Sequence, residues 1–245
     1  MTNIEILEKF KSKRNNVYKV RFNNTALNEI TVTKIIDDSS KDIFDNNCLI
    51  NMKNGIYIMK KYSIHNISNP EREYRNIKML QDSGVLVPKV IYKENDSLFF
   101  EYIPGELIGD LVESQSIGSW IDEFALWMVN LHKISGSSGN LLKGDVNLRN
   151  FIYAKGKIYG LDFEDLSYGD IRTDLADICF FILTDTPSFT IEKHTIMRRF
   201  LHSYEQHSGI KLKEVGRYLL KSREKARIRR NQNAIYKMLA FIFAF

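Results

Sequence analysis

Three polar residues in one short stretch have the types and the spacing that phosphate chemistry needs. Asp145, Asn150 and Asp162 lie among apolar runs in GDVNLRNFIYAKGKIYGLDFE, residues 144–164. The first two are five residues apart in a predicted loop, and Asp162 closes the second strand of a hairpin predicted to turn at Lys155-Gly156. Phosphoryl transfer requires an acid beside the incoming hydroxyl and oxygen ligands for magnesium on the nucleotide phosphates. These three side chains supply that set.

Each of the three residues has a common alternative role when it is considered alone. Asp145 and Asn150 could be turn residues, and Asp162 could be a strand-end Asp that hydrogen bonds to its own loop. The protein-kinase signature, however, has its catalytic-loop Asp, its Asn and its metal-binding Asp at this spacing and on these elements. The combination of the three residues therefore predicts phosphoryl transfer.

Two parts of the chain differ in the periodicity of their apolar residues. The first part is rich in predicted strands: NVYKVRF, EITVTKII, CLINM, GIYIMKKY, PKVIYKE and SLFFEYI. It has one predicted helix, PEREYRNIKMLQDSG, with Pro70 in its first turn and Gly84 at its end. After Pro104-Gly105 the pattern is mostly helical. We therefore predict a strand-rich lobe over residues 1–102 and a helical lobe over residues 103–245.

Composition indicates a globular protein that folds in water. Of the 245 residues, 44% are hydrophobic and 27% are charged, and no long uncharged span is present for a bilayer. The N-terminal sequence lacks an apolar signal core, which predicts a cytoplasmic protein. Cys48 and Cys179 have no partner spacing for zinc, so disulfide scaffolds and metal fingers are both disfavoured.

The basic residues are concentrated in KSREKARIRR, residues 221–230, within a net charge of +5. The favoured interpretation is the solvated face of an amphipathic helix, because basic residues are normal on exposed helix faces. A patch that binds phosphates or nucleic acid is the alternative.

Four stretches give the chain a resemblance to the aminoglycoside phosphotransferase and choline kinase branch of the protein-kinase-like fold. KGDVNLRN is similar to the branch's His-Gly-Asp loop with Asn five residues later, and GLDFE to its Asp-aromatic-Glu. TDLADI resembles its Asp-Leu-Ala helix start, and REYRNIKMLQDSGVLVPKVIYKE resembles its small-lobe helix and following strand. The resemblance implies a two-lobed α+β fold, with a small antiparallel-sheet N-terminal lobe carrying one helix and a mostly helical C-terminal lobe.

The resemblance also implies roles for particular residues. Asp145 would orient or deprotonate the acceptor hydroxyl, and Asn150 and Asp162 would hold Mg²⁺ on the phosphates of ATP or GTP. Asp174 would accept hydrogen bonds from the backbone of the catalytic loop as a buried support. Glu164 is expected to be an exposed or structural charge rather than a metal ligand.

A lysine of the strand-rich lobe should reach the phosphates, fixed by a helix glutamate. We select Lys60 in GIYIMKKY, because Lys61 would point to the other face of the strand. Lys61 and Lys34 stay open as alternatives. Glu73 is the favoured glutamate, whereas Glu71 lies in the first helical turn and suits the helix dipole.

SLFFEYIPGE resembles the connector between the lobes of such enzymes. Backbone groups of Glu101 and Ile103 would hydrogen bond to adenine between apolar walls. Phe99 and Phe100 could line or back that slot, or could be ordinary strand core.

The sequence departs from the family pattern in two places. No Gly-x-Gly-x-x-Gly is present near the N-terminus, so the turn over the phosphates would have to be SKRNN, residues 12–16. Lys143 stands where a histidine usually precedes Gly-Asp. That histidine is mainly architectural, so its replacement concerns the geometry of the loop more than the chemistry.

Twelve positions separate Asp162 from Asp174, which leaves no room for the long activation segment that docks peptide substrates. A small hydroxyl-bearing molecule is therefore the expected acceptor, with Asp165, Asp170 and Asp185 available to an amine. The interval from residue 101 to residue 145 is shorter than is usual for aminoglycoside enzymes, so antibiotic resistance is not inferred. Two alternatives stay open: a compact atypical protein kinase like that of the tRNA-modification machinery, and a non-catalytic nucleotide-binding or RNA-binding pseudokinase.

Overall fold

A computed structural model describes residues 2–10, 15–24, 53–63, 70–224 and 227–228. It divides the chain into two compact units, Met1–Pro104 and Gly105–Phe245. Several sequence features lie outside the described residues: the predicted strands EITVTKII and CLINM, Lys34, residues 12–14 of the phosphate turn, and residues 225, 226, 229 and 230 of the basic stretch.

The first unit contains a five-stranded antiparallel sheet and one helix. The strand order is β1-β2-β3-β5-β4. The elements are β1 (Thr2–Phe10), β2 (Asn16–Asn24), β3 (Gly55–Lys61), α1 (Pro70–Asp82), β4 (Val90–Lys93) and β5 (Ser97–Glu101). Strand β1 is absent from the sequence prediction, because it is an edge strand with charged residues at close intervals.

One face of this sheet forms an apolar core. Because side chains alternate along a strand, every second residue of β2 reaches that face. The cluster contains Ile4, Tyr18, Val20, Phe22, Met59 and Phe99. Lys60 follows Met59 on β3 and therefore points to the opposite face, where it is the cross-strand partner of Leu98.

Helix α1 begins and ends where proline and glycine predict. Pro70 is its first residue, since proline at this position gives up no helical hydrogen bond. The chain leaves the helix through Gly84, whose φ of +77° is a conformation that glycine adopts without steric cost. Glu73, Ile77 and Leu80 are the buried side chains and share one face at helical spacing. The helix therefore presents a carboxylate on its buried side.

The second unit is mostly helical and has two three-stranded antiparallel sheets with strand orders β10-β9-β6 and β11-β8-β7. Its helices are α2 (Ile108–Glu113), α3 (Trp120–His132), α4 (Arg172–Thr184) and α5 (Ile191–Ser208). Its strands are β6 (Glu106–Leu107), β7 (Ser135–Gly136), β8 (Gly139–Leu142), β9 (Phe151–Ala154), β10 (Lys157–Gly160) and β11 (Ser167–Gly169). Residues 215–224 are also helical. The predicted α+β architecture, an antiparallel sheet with one helix followed by a mostly helical part, is confirmed.

Helix α3 holds the β9-β10 hairpin through aromatic contacts. The ring of Trp127 lies 5.3 Å from that of Phe151 on β9 and 6.4 Å from that of Phe163, which follows β10. Gly160 permits this approach, since a Cβ atom there would lie 2.4 Å from the Trp127 ring. The aromatic packing therefore fixes the backbone on both sides of Asp162.

Among the helices of the described residues, none is long and apolar enough to cross a membrane.

Candidate active site

Asp145 and Asn150 lie on one short loop between β8 and β9. The Asp145 carboxylate accepts a hydrogen bond from the Asn147 amide at 3.2 Å. Residues Leu148–Asn150 form a single 3-10 turn that the Asn147 side chain caps. The Asn150 side-chain amide donates to the Asp145 carbonyl at 3.4 Å. This bond uses one N–H of Asn150 and leaves its side-chain oxygen as a candidate cation ligand.

Asp162 lies beside this loop, two residues beyond the end of β10 rather than on its last residue as predicted. The Leu161 amide donates to the Asn150 carbonyl at 2.8 Å, which joins the two segments. The φ angle of Asp162 is +57°, a left-handed conformation that is uncommon for a residue with a side chain. The structure thus brings Asp145, Asn150 and Asp162 together on adjacent segments of the second unit.

Glu164 is buried, so of the two expected roles the structure excludes the exposed charge and leaves the structural one. It is 8% exposed, and one of its carboxylate oxygens lies within 4.8 Å of a carboxylate oxygen of the exposed Asp162. The spacing of these two oxygens would allow both to approach one cation. The alternation of side chains along a strand does not predict the burial of Glu164, because residues 161–166 form an irregular loop.

Lys143 occupies the position of the usual histidine and is completely buried. Its ammonium donates hydrogen bonds to the carbonyls of Asp145, at 3.2 Å, and of Asp162. It also lies 4.6 Å from the centre of the Phe163 ring. With lysine in place of the usual histidine, the side chain of residue 143 still joins the loop of Asp145 to the segment of Asp162.

Asp174, at the start of α4, supports the same loop from the other side. Its carboxylate accepts from the Lys143 amide at 2.6 Å and from the Gly144 amide at 3.2 Å. Gly144 has a φ of +76°, and a Cβ atom there would lie 2.3 Å from the Asp165 carbonyl oxygen. Asp174 is 1% exposed and acts as the buried acceptor that the sequence analysis expects of it.

A buried histidine and tyrosine extend this support. One ring nitrogen of His132, Nε2, lies 3.3 Å from Asp174, and the other, Nδ1, lies 2.9 Å from the Tyr204 hydroxyl. Burial, with a smaller contribution from the nearby Asp174, raises the pKa of Tyr204. The hydroxyl therefore stays protonated at neutral pH, and the His132 ring bridges it and the Asp174 carboxylate.

We predict that Asp174→Asn lowers the free energy of unfolding by about 2 kcal/mol, because an amide supplies one acceptor oxygen where two backbone N–H groups need one each. Urea denaturation measures the change. Asp177→Asn is the matched control, since Asp177 lies three residues later on α4 and is only half-buried. Equal losses in the two variants would contradict the role of Asp174.

In the first unit, Lys60 and Glu73 form a buried ion pair. The Lys60 ammonium lies 2.7 Å from a Glu73 carboxylate oxygen, and the two residues are 8% and 2% exposed. The Tyr62 hydroxyl donates to the same oxygen. The competing lysine on this strand, Lys61, lies 3.6 Å from Asp96. The structure therefore brings together the lysine and the glutamate that the sequence analysis favours.

Glu71 pairs with other residues of the same unit. A hydrogen bond from Lys93 is the main cause that lowers the pKa of Glu71, with further contributions from the charges of Lys93 and Arg75. Glu71 lies in the first turn of α1. Its position suits the helix dipole, as expected.

Lys60→Met should lower the free energy of unfolding by about 3 kcal/mol, because it leaves the Glu73 carboxylate buried without its cation. The double variant Lys60→Met/Glu73→Gln removes both charges and should recover part of that loss. Thermal or urea denaturation compares the two. A single variant as stable as the wild type would show that Glu73 does not depend on Lys60.

In the predicted connector SLFFEYIPGE, the backbone amide of Glu101 already has a hydrogen-bond partner. The Glu101 amide donates to the Lys89 carbonyl at 3.0 Å, and the Glu101 side chain accepts from the Lys89 amide at 2.8 Å. The carbonyl of Glu101 is therefore the backbone group that could serve adenine there. Phe99 belongs to the apolar core of the sheet, which favours the strand-core interpretation for that side chain.

Asp170 is not available to a substrate amine, which corrects the expectation for this acid. Arg172 binds its carboxylate with Nε at 2.9 Å and Nη2 at 2.5 Å, and the Tyr218 hydroxyl donates to it at 2.7 Å. The hydrogen bond from Arg172 is the main cause that lowers the pKa of Asp170, and the bond from Tyr218 adds to it. Tyr218 is 48 residues away in the chain, so no local pattern indicates this contact.

The described part of the basic stretch is helical, and its charged side chains are exposed whereas Ser222 is buried. Lys221 lies 4.8 Å from the Tyr218 ring centre, and Arg227 pairs with Glu224 at 2.8 Å. Such pairs, three or four residues apart, are ordinary features of a solvated helix. Contact with nucleic acid through residues 221–230 stays the alternative prediction.

No protein-family model matches the chain, and no curated protein matches it in sequence. Solved structures do match it. The ADP-bound aminoglycoside phosphotransferase APH(2'')-Ib has a TM-score of 0.56 at 13% identity, over 89% of this chain and 80% of that chain. A choline kinase from Cryptosporidium parvum Iowa II has a TM-score of 0.55 at 12% identity, over 88% and 78%.

The gentamicin complex of APH(2'')-IIa has a TM-score of 0.52 at 16% identity, over 74% of this chain and 78% of that chain. These structures share the protein-kinase-like fold with this chain. The predicted resemblance is confirmed at the level of the fold.

Proposed function

We propose that the protein is a Mg²⁺-dependent phosphotransferase that moves the γ-phosphate of ATP or GTP to a hydroxyl group of a small molecule. The observation that carries the proposal is the placement of Asp145, Asn150 and Asp162 on two loop segments joined by hydrogen bonds. A kinase needs an acid and metal ligands held in one geometry, because its catalysis is mostly positioning and charge stabilisation.

In the reaction, the Asp145 carboxylate accepts the proton of the acceptor hydroxyl. The hydroxyl oxygen forms a bond to the γ-phosphorus, and the bond from that phosphorus to the bridging oxygen of the nucleotide breaks. The products are a phosphate ester and ADP or GDP. Asp145 is exposed, so a substrate hydroxyl can reach its carboxylate.

The side chains available as metal ligands fit magnesium. They are the oxygens of Asn150 and Asp162, with Glu164 as a further carboxylate within 4.8 Å of Asp162. Hard oxygen ligands are those that Mg²⁺ prefers. When bound, Mg²⁺ neutralises negative charge on the phosphates of the nucleotide.

Nucleotide contacts are proposed for the first unit. Lys60, held by Glu73, would place its charge on the phosphates, and its fixed position supports this role. The carbonyl of Glu101 and the backbone of Ile103 would hydrogen bond to adenine or guanine. The ADP in the solved structure of APH(2'')-Ib supports a nucleotide-binding function for the shared fold. We place the reaction in the cytoplasm, where these nucleotides are available.

The acceptor is proposed to be a small molecule. The similar structures carry the names aminoglycoside phosphotransferase and choline kinase, and both names specify small hydroxyl compounds. The short interval from Asp162 to Asp174 contains the three-residue strand β11 and the first residues of α4, which leaves no room for a long peptide-docking segment.

The test is an incubation of the protein with Mg-ATP or Mg-GTP and a panel of amino alcohols, sugars, nucleosides and aminoglycosides. Mass spectrometry should detect one acceptor gaining a phosphate, and chelation of Mg²⁺ should prevent the gain. Phosphorylation of added protein without any phosphorylated small molecule would overturn the proposed acceptor class. The absence of both nucleotide binding and transfer would overturn the proposed function.

A further inference from the structure

We propose that Lys143 is a positioning residue that sets the placement of Asp162 relative to Asp145 by holding the carbonyls of both residues with one ammonium group. This inference rests on the proposed function, because it concerns the two acids of the same site. It assigns a function to the residue at which the sequence departs from the family pattern.

Lys143 is held at both ends. Its backbone amide donates to the Asp174 carboxylate at 2.6 Å, which fixes the start of the side chain. Its ammonium, at the other end, donates to the Asp145 carbonyl at 3.2 Å and to the Asp162 carbonyl. One residue therefore connects helix α4, the catalytic loop and the segment after β10.

An ammonium can make this double contact where a neutral imidazole cannot. Lysine carries three N–H donors on one atom, whereas neutral histidine carries a single N–H donor on its ring. Two carbonyls on two segments can thus be bound at once by Lys143. A histidine at residue 143 would bind one of them.

Complete burial of the ammonium means that its charge depends on partners inside the protein. A buried charge is costly unless hydrogen bonds compensate it, and Lys143 has 0% exposure. The two carbonyls provide such bonds, and the Phe163 ring at 4.6 Å adds a cation-π contact. Lys143 thus contacts two successive residues, Asp162 and Phe163. It therefore holds the backbone at Asp162, the proposed metal ligand.

Asp162 has a backbone conformation that such a contact can stabilise. Its φ of +57° is left-handed, which is uncommon for a residue with a side chain. The Lys143 ammonium binds the carbonyl of this same residue. Loss of the ammonium should let Asp162 leave this conformation, and the direct consequence would be weaker Mg²⁺ binding.

Lys143→Met is the decisive variant, because methionine keeps an unbranched side chain and removes every donor. The Mg²⁺ concentration that gives half-maximal nucleotide binding should rise about tenfold, since groups that orient metal ligands typically have effects of this size. Lys143→His should give a smaller rise, because one donor remains. Nucleotide binding titrated calorimetrically at several Mg²⁺ concentrations measures both values.

Lys193→Met is the matched control. Lys193 is also completely buried in the second unit, and its ammonium donates to the Asp185 carbonyl at 2.7 Å. Its loss should lower stability while the Mg²⁺ dependence stays that of the wild type. If Lys143→Met is less stable than the wild type but has the same Mg²⁺ dependence, as expected for Lys193→Met, the proposed role is overturned. If Lys143→Met does not fold, the Mg²⁺ dependence of Lys143→His is compared with that of the wild type. An unchanged dependence would then overturn the proposed role.

Hydrogen exchange separates this inference from the proposed function. In Lys143→Met, amides of residues 145–150 and 161–164 should exchange faster than in the wild type, with no nucleotide present. A wild type that binds no Mg-nucleotide would overturn the proposed function and the effect on metal binding. Equal exchange in the two proteins would overturn the link between the segments, whatever the nucleotide result.

Discussion

Asp162→Ala should abolish the binding of Mg-ATP and Mg-GTP. Asp162 is the exposed carboxylate that the Lys143 contact and the joined backbone hold beside the loop of Asp145 and Asn150. Its removal takes away the exposed carboxylate that we propose for the cation, which leaves the oxygen of Asn150 and the buried carboxylate of Glu164 to hold the metal less tightly. The affinity for Mg-nucleotide, measured by isothermal titration calorimetry, should fall by at least about 100-fold. Loss of a residue that only orients a metal ligand can reduce metal affinity by about 100-fold, and loss of a ligand itself should cost at least as much.

Asp165→Ala is the control for this prediction. Asp165 is an exposed acid three residues later in the same loop, so the variant removes the same charge nearby. It should bind Mg-nucleotide as the wild type does. Unaltered Mg-ATP binding by Asp162→Ala would show that the metal assignment is wrong.

Asp145→Asn should abolish transfer while Mg-nucleotide binding is retained. An asparagine keeps the size of the side chain and an oxygen that can accept from the Asn147 amide, so the loop can keep its geometry. It cannot accept the hydroxyl proton. General-base catalysis typically contributes about 10²–10⁴-fold, so kcat should fall by a factor in that range.

Steady-state kinetics with the accepted substrate and calorimetry with Mg-nucleotide measure the two quantities on the same protein. Asp177→Asn, which makes the same exchange of acid for amide on helix α4, should change neither. A wild-type kcat in Asp145→Asn would exclude Asp145 as the base. A loss of nucleotide binding equal to that of Asp162→Ala would assign Asp145 to the metal instead.

The sequence predicts the features that depend on short-range patterns. Pro70 and Gly84 mark the helix that carries Glu73, and alternation along β3 separates Lys60 from Lys61. The hairpin turn at Lys155-Gly156 is also present between β9 and β10. These features follow from backbone geometry over a few residues, which a single sequence displays directly.

Features that depend on distant contacts are not predictable in this way. The sequence predicts that Asp170 is an exposed loop acid. In the structure, however, its carboxylate is bound by Arg172 and by the distant Tyr218. The burial of Glu164 depends on an irregular loop. The double contact of Lys143 depends on a carbonyl 19 residues away, which no spacing of residue types indicates.

The central claim is that Asp145, Asn150 and Asp162 form one site for transfer of a phosphoryl group to a small molecule. Phosphorus-31 NMR of the wild-type protein with the acceptor panel and either Mg-ATP or Mg-GTP tests it most directly. We predict that with one of the two nucleotides the γ-phosphate signal is lost while the nucleoside diphosphate and a new phosphate monoester signal grow in equal amounts, and only when Mg²⁺ is present. If both nucleotides stay intact, or yield the diphosphate and inorganic phosphate alone, the claim is contradicted.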